Sequence, residues 1–138
     1  MLSVCLLLVL AAILEGLTQR PFLTTRVGTL LAVSLRGERL RANLFVVPRL
    51  PAVGFQAAAQ TWGETVLVTP GVLRGDHART LAHEACHVAQ YRRLTSFGFV
   101  LLYLGQWLRG LAVARNAFGA YWTMPLELEA RNAAEKMS

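Results

Sequence analysis

Two of the three histidines in this 138-residue chain stand four apart around a glutamate, in His83-Glu84-Ala85-Cys86-His87. On a helix, residues four apart lie one above the other, so both imidazoles can ligate a single metal ion. Glu84 falls at the edge of that face, where a carboxylate can take a proton from metal-bound water rather than bind the metal. At about 100° per residue, one arc of the helix carries Arg79, Thr80, His83, Glu84, His87, Gln90 and Tyr91. The opposite arc, from Ala78 through Leu81, Ala82, Ala85, Cys86 and Val88 to Ala89, is wholly apolar. The pattern predicts a helix that packs its apolar face and turns both histidines the other way. An amphipathic helix with a solvated polar arc has the same wheel. It leaves the placement of two histidines around a glutamate unaccounted for.

A catalytic zinc needs a third protein ligand and an open position for water. No histidine follows His87, and the acidic residues downstream are Glu127, Glu129 and Glu135. On a terminal helix, Glu127 adjoins the apolar arc of Leu126, Ala130, Ala133, Ala134 and Met137, while Glu129 sits further off. That favours Glu127 as a half-buried ligand over Glu129. Both would also complement the dipole of that helix's first turn.

The elements that must position these groups are partly legible. Thr65 to Thr69 (TVLVT) reads as a strand, being β-branched and stopped by Pro70-Gly71. Asp76 is a natural N-cap for the metal helix, which should run to about Arg93. Phe97 to Val113 is a second, very apolar helix, and Pro125 opens a last one reaching about Lys136. Asn43 to Val47 (NLFVV), closed by Pro48 and Pro51, reads as another strand. Thr29 to Leu35 is either its hairpin partner or a helix ending at Gly37.

Hydrophobic residues make up 54% of the sequence and charged ones 16%, which excludes a disordered protein. It leaves a compact domain with membrane contact or an unusually apolar surface. Leu2 to Leu14 is almost unbroken apolar sequence. It is a candidate membrane anchor, with a buried core helix and a signal peptide as the rival readings. If it spans a bilayer, Arg20, Arg26 and Arg36 favour a cytoplasmic position for the rest. The net charge is +6, with 13 of the 14 basic residues arginine. They are scattered without a run or a basic stripe, which argues against nucleic-acid binding. Cys5 and Cys86 make no disulfide framework. The division expected is an N-terminal apolar segment, 1–20, and one domain over 21–138.

The stretch Thr65 to Arg93 resembles the core of H-E-x-x-H zinc metallopeptidases, the zincins, with a glutamate third ligand. It is most similar to their membrane-associated group, in which strand, turn and metal helix read V-T-x-G-L … L-A-H-E-x-x-H. Thr80 stands three before the first histidine, and Val88 and Ala89 follow the second. The end of the sequence, Pro125 to Ala130, also resembles small bacterial proteins of this type. In that family the third ligand is a Glu three residues before an alanine, the place of Glu127 and Ala130 here. The family often carries Asp after that alanine to help orient the site, whereas Arg131 stands there in this sequence.

The resemblance implies a small zincin-like α+β domain that hydrolyses peptide bonds. Zn2+ would be held by His83, His87 and Glu127, with Glu84 as the proton carrier. It also implies that Thr65, Val66, Leu67, Val68 and Thr69 form an edge strand on which an extended peptide or protein substrate lies. Tyr91, Tyr103, Tyr121 and His77 are the candidate second donors to the oxyanion. The rival expectation is a non-catalytic membrane-surface protein with a structural or vestigial zinc site.

Overall fold

A computed structural model describes residues 2–51 and 57–137. Six helices and a four-stranded mixed sheet make an α+β architecture among these residues. The helices are α1 (Leu2–Thr18), α2 (Phe22–Ser34), α3 (Pro70–Arg74), α4 (His77–Ala114), α5 (Ala117–Thr123) and α6 (Pro125–Glu135). The strands are β1 (Glu38–Arg41), β2 (Leu44–Val46), β3 (Ala59–Trp62) and β4 (Thr65–Val68).

The sheet order is β1-β2-β4-β3, with β2 and β4 parallel and both outer pairings antiparallel. Thr29 to Leu35 belongs to α2, and the hairpin partner of β2 is β1 instead. β3 and β4 are joined by Gly63-Glu64, with Gly63 at φ 65. Glycine is the residue that a tight hairpin turn accepts there without steric cost. Ala32, Phe45, Val47, Leu50 and Leu67 form the core between α2 and the sheet.

The expected edge strand is corrected here. Thr65 to Val68 lies inside the sheet, bonded to β2 on one side and β3 on the other, and Thr65, Leu67 and Val68 are fully buried. The β-branched and apolar run that makes it the clearest strand in the sequence is that of a strand covered by neighbours on both sides. β3, whose Ala-Gln-Thr-Trp sequence carries little β signal, takes the edge instead.

Asp76 caps α4 by accepting from the Arg79 amide. The helix is broken at Thr95, with φ 65 and ψ 174, between the two helices that the sequence separates. A β-branched residue in that region is strained by the order of 1–3 kcal/mol, so neighbours must impose it. Glu15 of α1 does so. Its carboxylate, fully buried, accepts from the Ser96 amide at 2.7 Å and the Ser96 hydroxyl at 2.8 Å. It also accepts from the Leu23 amide of α2 at 2.8 Å. One carboxylate therefore caps two helix starts and ties 1–20 into the residues that follow.

The other side groups of α1 stay largely outside. Leu7, Ile13 and Leu17 are 65%, 54% and 79% exposed, so α1 is not a core helix of this fold. Residues 96–114 likewise expose Leu101, Leu102, Leu108 and Val113. α4 is long and apolar enough to cross a membrane, and α1 with α2 forms a pair bent by 104° that passes the same test.

Candidate metal centre

The first half of α4 carries the histidines, and α6 lies across it. The packed face is not the apolar one. Glu84, His87, Gln90 and Tyr91 are each at most 6% exposed, while Ala85 and Ala89 are exposed. Burial of a polar arc is stable only where its groups find partners, and α6, β3 and the second half of α4 supply them. The small alanines of the other arc have little area to gain from burial.

His83 Nε2 lies 3.1 Å from His87 Nε2 and 3.1 Å from Glu127 Oε2, and His87 Nε2 lies 3.4 Å from the same oxygen. Zinc bonds of about 2.0–2.1 Å in a tetrahedron place ligand atoms roughly 3.3–3.4 Å apart. The two nitrogens and one oxygen therefore fit three corners of a tetrahedron around a metal ion with bonds of that length. The trio is the one metal-capable group of three or more such residues among the described residues. Glu129 is elsewhere, paired with Arg93 at 3.2 Å and accepting from Gln90.

Two of the three metal-capable residues are fixed from behind. His87 donates from Nδ1 to Gln90 Oε1 at 2.8 Å, which leaves Nε2 free for a metal. Gln90 in turn donates to the Leu126 carbonyl at 2.9 Å, joining the metal helix to the start of α6. Gln106 accepts from the Leu126 amide at 3.1 Å. Tyr103 donates to Glu127 Oε1 at 2.8 Å, holding the oxygen that does not face the histidines. The Thr95 break sets the course of the segment that carries Tyr103 and Gln106. Gly110 lets α5 cross this segment, since a Cβ there would lie 2.8 Å from the Ala120 Cα.

The charges are strongly coupled. Burial raises the proton affinity of Glu127, but hydrogen bonds from His83 and His87 outweigh it and hold the carboxyl well below its ordinary range. Burial opposes a charge on His87, yet the bonded Glu127 carboxylate prevails and pushes its pKa up to about 9. Glu84 stands apart from the trio. Burial raises its pKa, against the opposing pull of His87 and of a hydrogen bond from Thr61. That bond, Thr61 Oγ1 to Glu84 Oε2, is 2.6 Å long and ties the carboxylate to the edge strand.

A cavity of about 600 Å3 opens beside His83, Glu84, His87 and Glu127. Trp62, Phe99, Tyr103, Leu104, Trp107 and Tyr121 make most of its wall apolar. One side of the cluster is thus reachable. β3 borders the cavity, and its backbone register decides which groups face it. Thr69 N donates to Ala58 O, so the N–H and C=O of Ala59 and Thr61 point away from β4 toward the unpaired edge.

Of the candidate oxyanion donors, Tyr91 is stacked on Phe99 with centroids 3.7 Å apart, and His77 is exposed at the start of α4. Tyr103 is engaged with Glu127. Tyr121 lines the cavity and also bonds to Glu127. Thr61 is the site residue that sequence reasoning missed, because a single threonine in a weak strand gives no signal of its neighbours. No family model, curated protein or solved structure matches the sequence.

Proposed function

We propose that the protein is a zinc-dependent, membrane-associated peptidase. The observation that carries this reading is the convergence of His83, His87 and Glu127 at tetrahedral spacing while Glu84 stays off the trio. His₂Glu with a fourth position open is a catalytic rather than a structural zinc arrangement. The likeness of Thr65 to Arg93 to the zincins supports the same chemistry.

Bound zinc would acidify a coordinated water to a pKa of about 7 and polarise the scissile carbonyl. Glu84 takes the proton of the attacking water and passes it to the leaving amine. The Thr61 hydroxyl holds that carboxylate in place. An extended substrate adds to the β3 edge through the outward groups of Ala59 and Thr61, and sets an apolar side group into the aromatic cavity. Tyr103 and Tyr121, both at the cavity wall and both bonded to Glu127, are the tyrosines from which a donor to the oxyanion would come.

The membrane part of the reading rests on α1 and residues 96–114. The seventeen residues of α1 span about 26 Å as helix, close to the roughly 30 Å hydrocarbon thickness. Of the most apolar window of α4, 11% is buried, the reverse of a core helix.

The test is Glu84→Gln in the zinc-loaded protein, assayed on unfolded or membrane-derived polypeptides. Zinc content should stay at the wild-type level while turnover falls by about 10²–10⁴-fold, the usual contribution of a general base. Cleavage that survives both a chelator and Glu84→Gln would refute the reading.

A further inference from the structure

Beyond the break at Thr95, α4 turns Ser96, Phe99, Tyr103, Gln106 and Gly110 inward as a single row. Their spacing of three and four residues is that of one helix face. Ser96, Phe99 and Gly110 are buried, while Phe97, Leu101 and Leu108 on the other faces are exposed. Phe99 stacks on Tyr91 with centroids 3.7 Å apart and on Tyr103 at 5.5 Å. Two turns from Ser96, this row meets the metal centre through the bond from Tyr103 to Glu127.

The row begins on Glu15. A helix that starts afresh after a break has amide groups without partners inside it. Glu15 accepts from the Ser96 amide and from the Ser96 hydroxyl. That hydroxyl in turn accepts from the Thr24 amide of α2 at 3.1 Å, so α1 and α2 both hold the start of the segment. Rotation about the helix axis is the displacement that such a cap resists. A side-chain tip stands about 5–6 Å from the axis, so a turn of about 20° carries it through roughly 2 Å. Tyr103 cannot keep a 2.8 Å hydrogen bond to Glu127 through such a shift. Gln106 and Gly110 restrain the segment on the far side of Tyr103, against α6 and α5. Glu15 restrains it on the near side.

We infer that Glu15 is a positioning residue of the metal centre, acting through Ser96 and Tyr103 on the orientation of Glu127, an inference that rests on zinc as the occupant of that centre. Glu15 lies 81 residues before Ser96 in sequence, on a helix whose composition suggests an anchor and nothing more. Glu127 turns one oxygen to the histidines and the other to Tyr103. Loss of the Tyr103 bond lets the carboxylate rotate, and a loosely held ligand binds metal less tightly. Tyr121 also bonds to Glu127, so the expected effect is a partial loss of affinity. By this route α1 is part of the metal site, and a change that displaces it from Ser96 weakens zinc binding.

The experiment measures zinc affinity of the full-length protein in detergent, by competition with a chromophoric chelator. Glu15→Gln keeps the volume but sets a donor against a backbone N–H, and should weaken zinc binding about 3–10-fold. Tyr103→Phe removes the last link and should weaken it about 10–100-fold. The double variant should bind zinc as Tyr103→Phe alone does, because both changes cut one chain of contacts. Val47→Ala, a cavity in the core between α2 and the sheet, lowers stability without touching the chain and should stay within about twofold of the wild type. Unchanged affinity in folded Glu15→Gln, or a loss that adds to that of Tyr103→Phe, would overturn the inference. Should Glu15→Gln fail to fold, Ser96→Ala, which removes the hydroxyl bonded to Glu15, is judged by the same two criteria. A wild type that binds no zinc would mean that the zinc reading has failed instead. The coupling is then decided on the metal-free protein, from the Cζ resonance of isotope-labelled Tyr103 assigned with Tyr103→Phe. A shift of that resonance in Glu15→Gln and none in Val47→Ala supports the link, and an unmoved resonance in Glu15→Gln refutes it.

Discussion

Replacing Gln90 with Leu tests whether metal affinity is built into the packing of α4 against α6. Gln90 is 1% exposed and makes three hydrogen bonds, to His87 Nδ1, the Leu126 carbonyl and Glu129. Leucine keeps much of the volume and removes all three. His87 is then left with a buried Nδ1–H lacking an acceptor, at a cost of about 1–3 kcal/mol. Loss of such an outer hydrogen bond typically weakens metal binding about 10–100-fold, or roughly 1.4–2.7 kcal/mol. The two figures agree in size, so zinc affinity should fall by that factor. Folding stability should fall by about 2–4 kcal/mol as the Leu126 carbonyl loses its donor. The assay is competition with a chromophoric chelator, alongside thermal melts of the metal-free protein. Arg93→Ala is the control, since it breaks only the exposed pair with Glu129 and should leave zinc affinity within about twofold. A folded Gln90→Leu protein with wild-type affinity would refute the reasoning.

Zinc binding near pH 7 should release about one proton, because His87, raised from 6.5 to about 9 in the metal-free site, must be neutral to ligate. Affinity should therefore rise with pH and level off above about 9; equal calorimetric heats in buffers of different ionisation enthalpy would contradict this. Glu15→Ala removes three hydrogen bonds to one buried carboxylate and should cost at least about 3 kcal/mol, read by thermal melting; an unchanged melt would mean that α1 is merely appended. Thr61→Val should lower kcat about tenfold with KM and zinc content unchanged, and Thr61→Ser should restore it; parallel loss in both variants would assign Thr61 a packing role only.

The metal helix, its Asp76 cap, the apolar helix beyond Thr95 and the Pro125 start of α6 are all legible in the sequence, since each has a local signal of spacing, capping or backbone restriction. Glu127 is separable from Glu129 because it borders an apolar arc, and it is 3% exposed in the fold. What local pattern misstates is which face gets buried. Hydrophobicity assigns the core to the alanine arc of α4, but the partners of the polar arc come from Thr61, Leu126 and Glu127, 23 to 44 residues distant in sequence. The same reason hides the edge. TVLVT reads as a strand from its own residues, yet its place between two others depends on β2 and β3. Glu15 reads as an interruption of an apolar run, whereas in the fold it caps Leu23 and Ser96 at once.

The most direct test of the metal centre is the zinc content of the purified full-length protein and of three alanine variants. One zinc per molecule is expected in the wild type and in Glu129→Ala, with its loss in His83→Ala and Glu127→Ala. A wild type without zinc under saturating conditions, or loss in Glu129→Ala with retention in Glu127→Ala, would contradict a centre built from His83, His87 and Glu127.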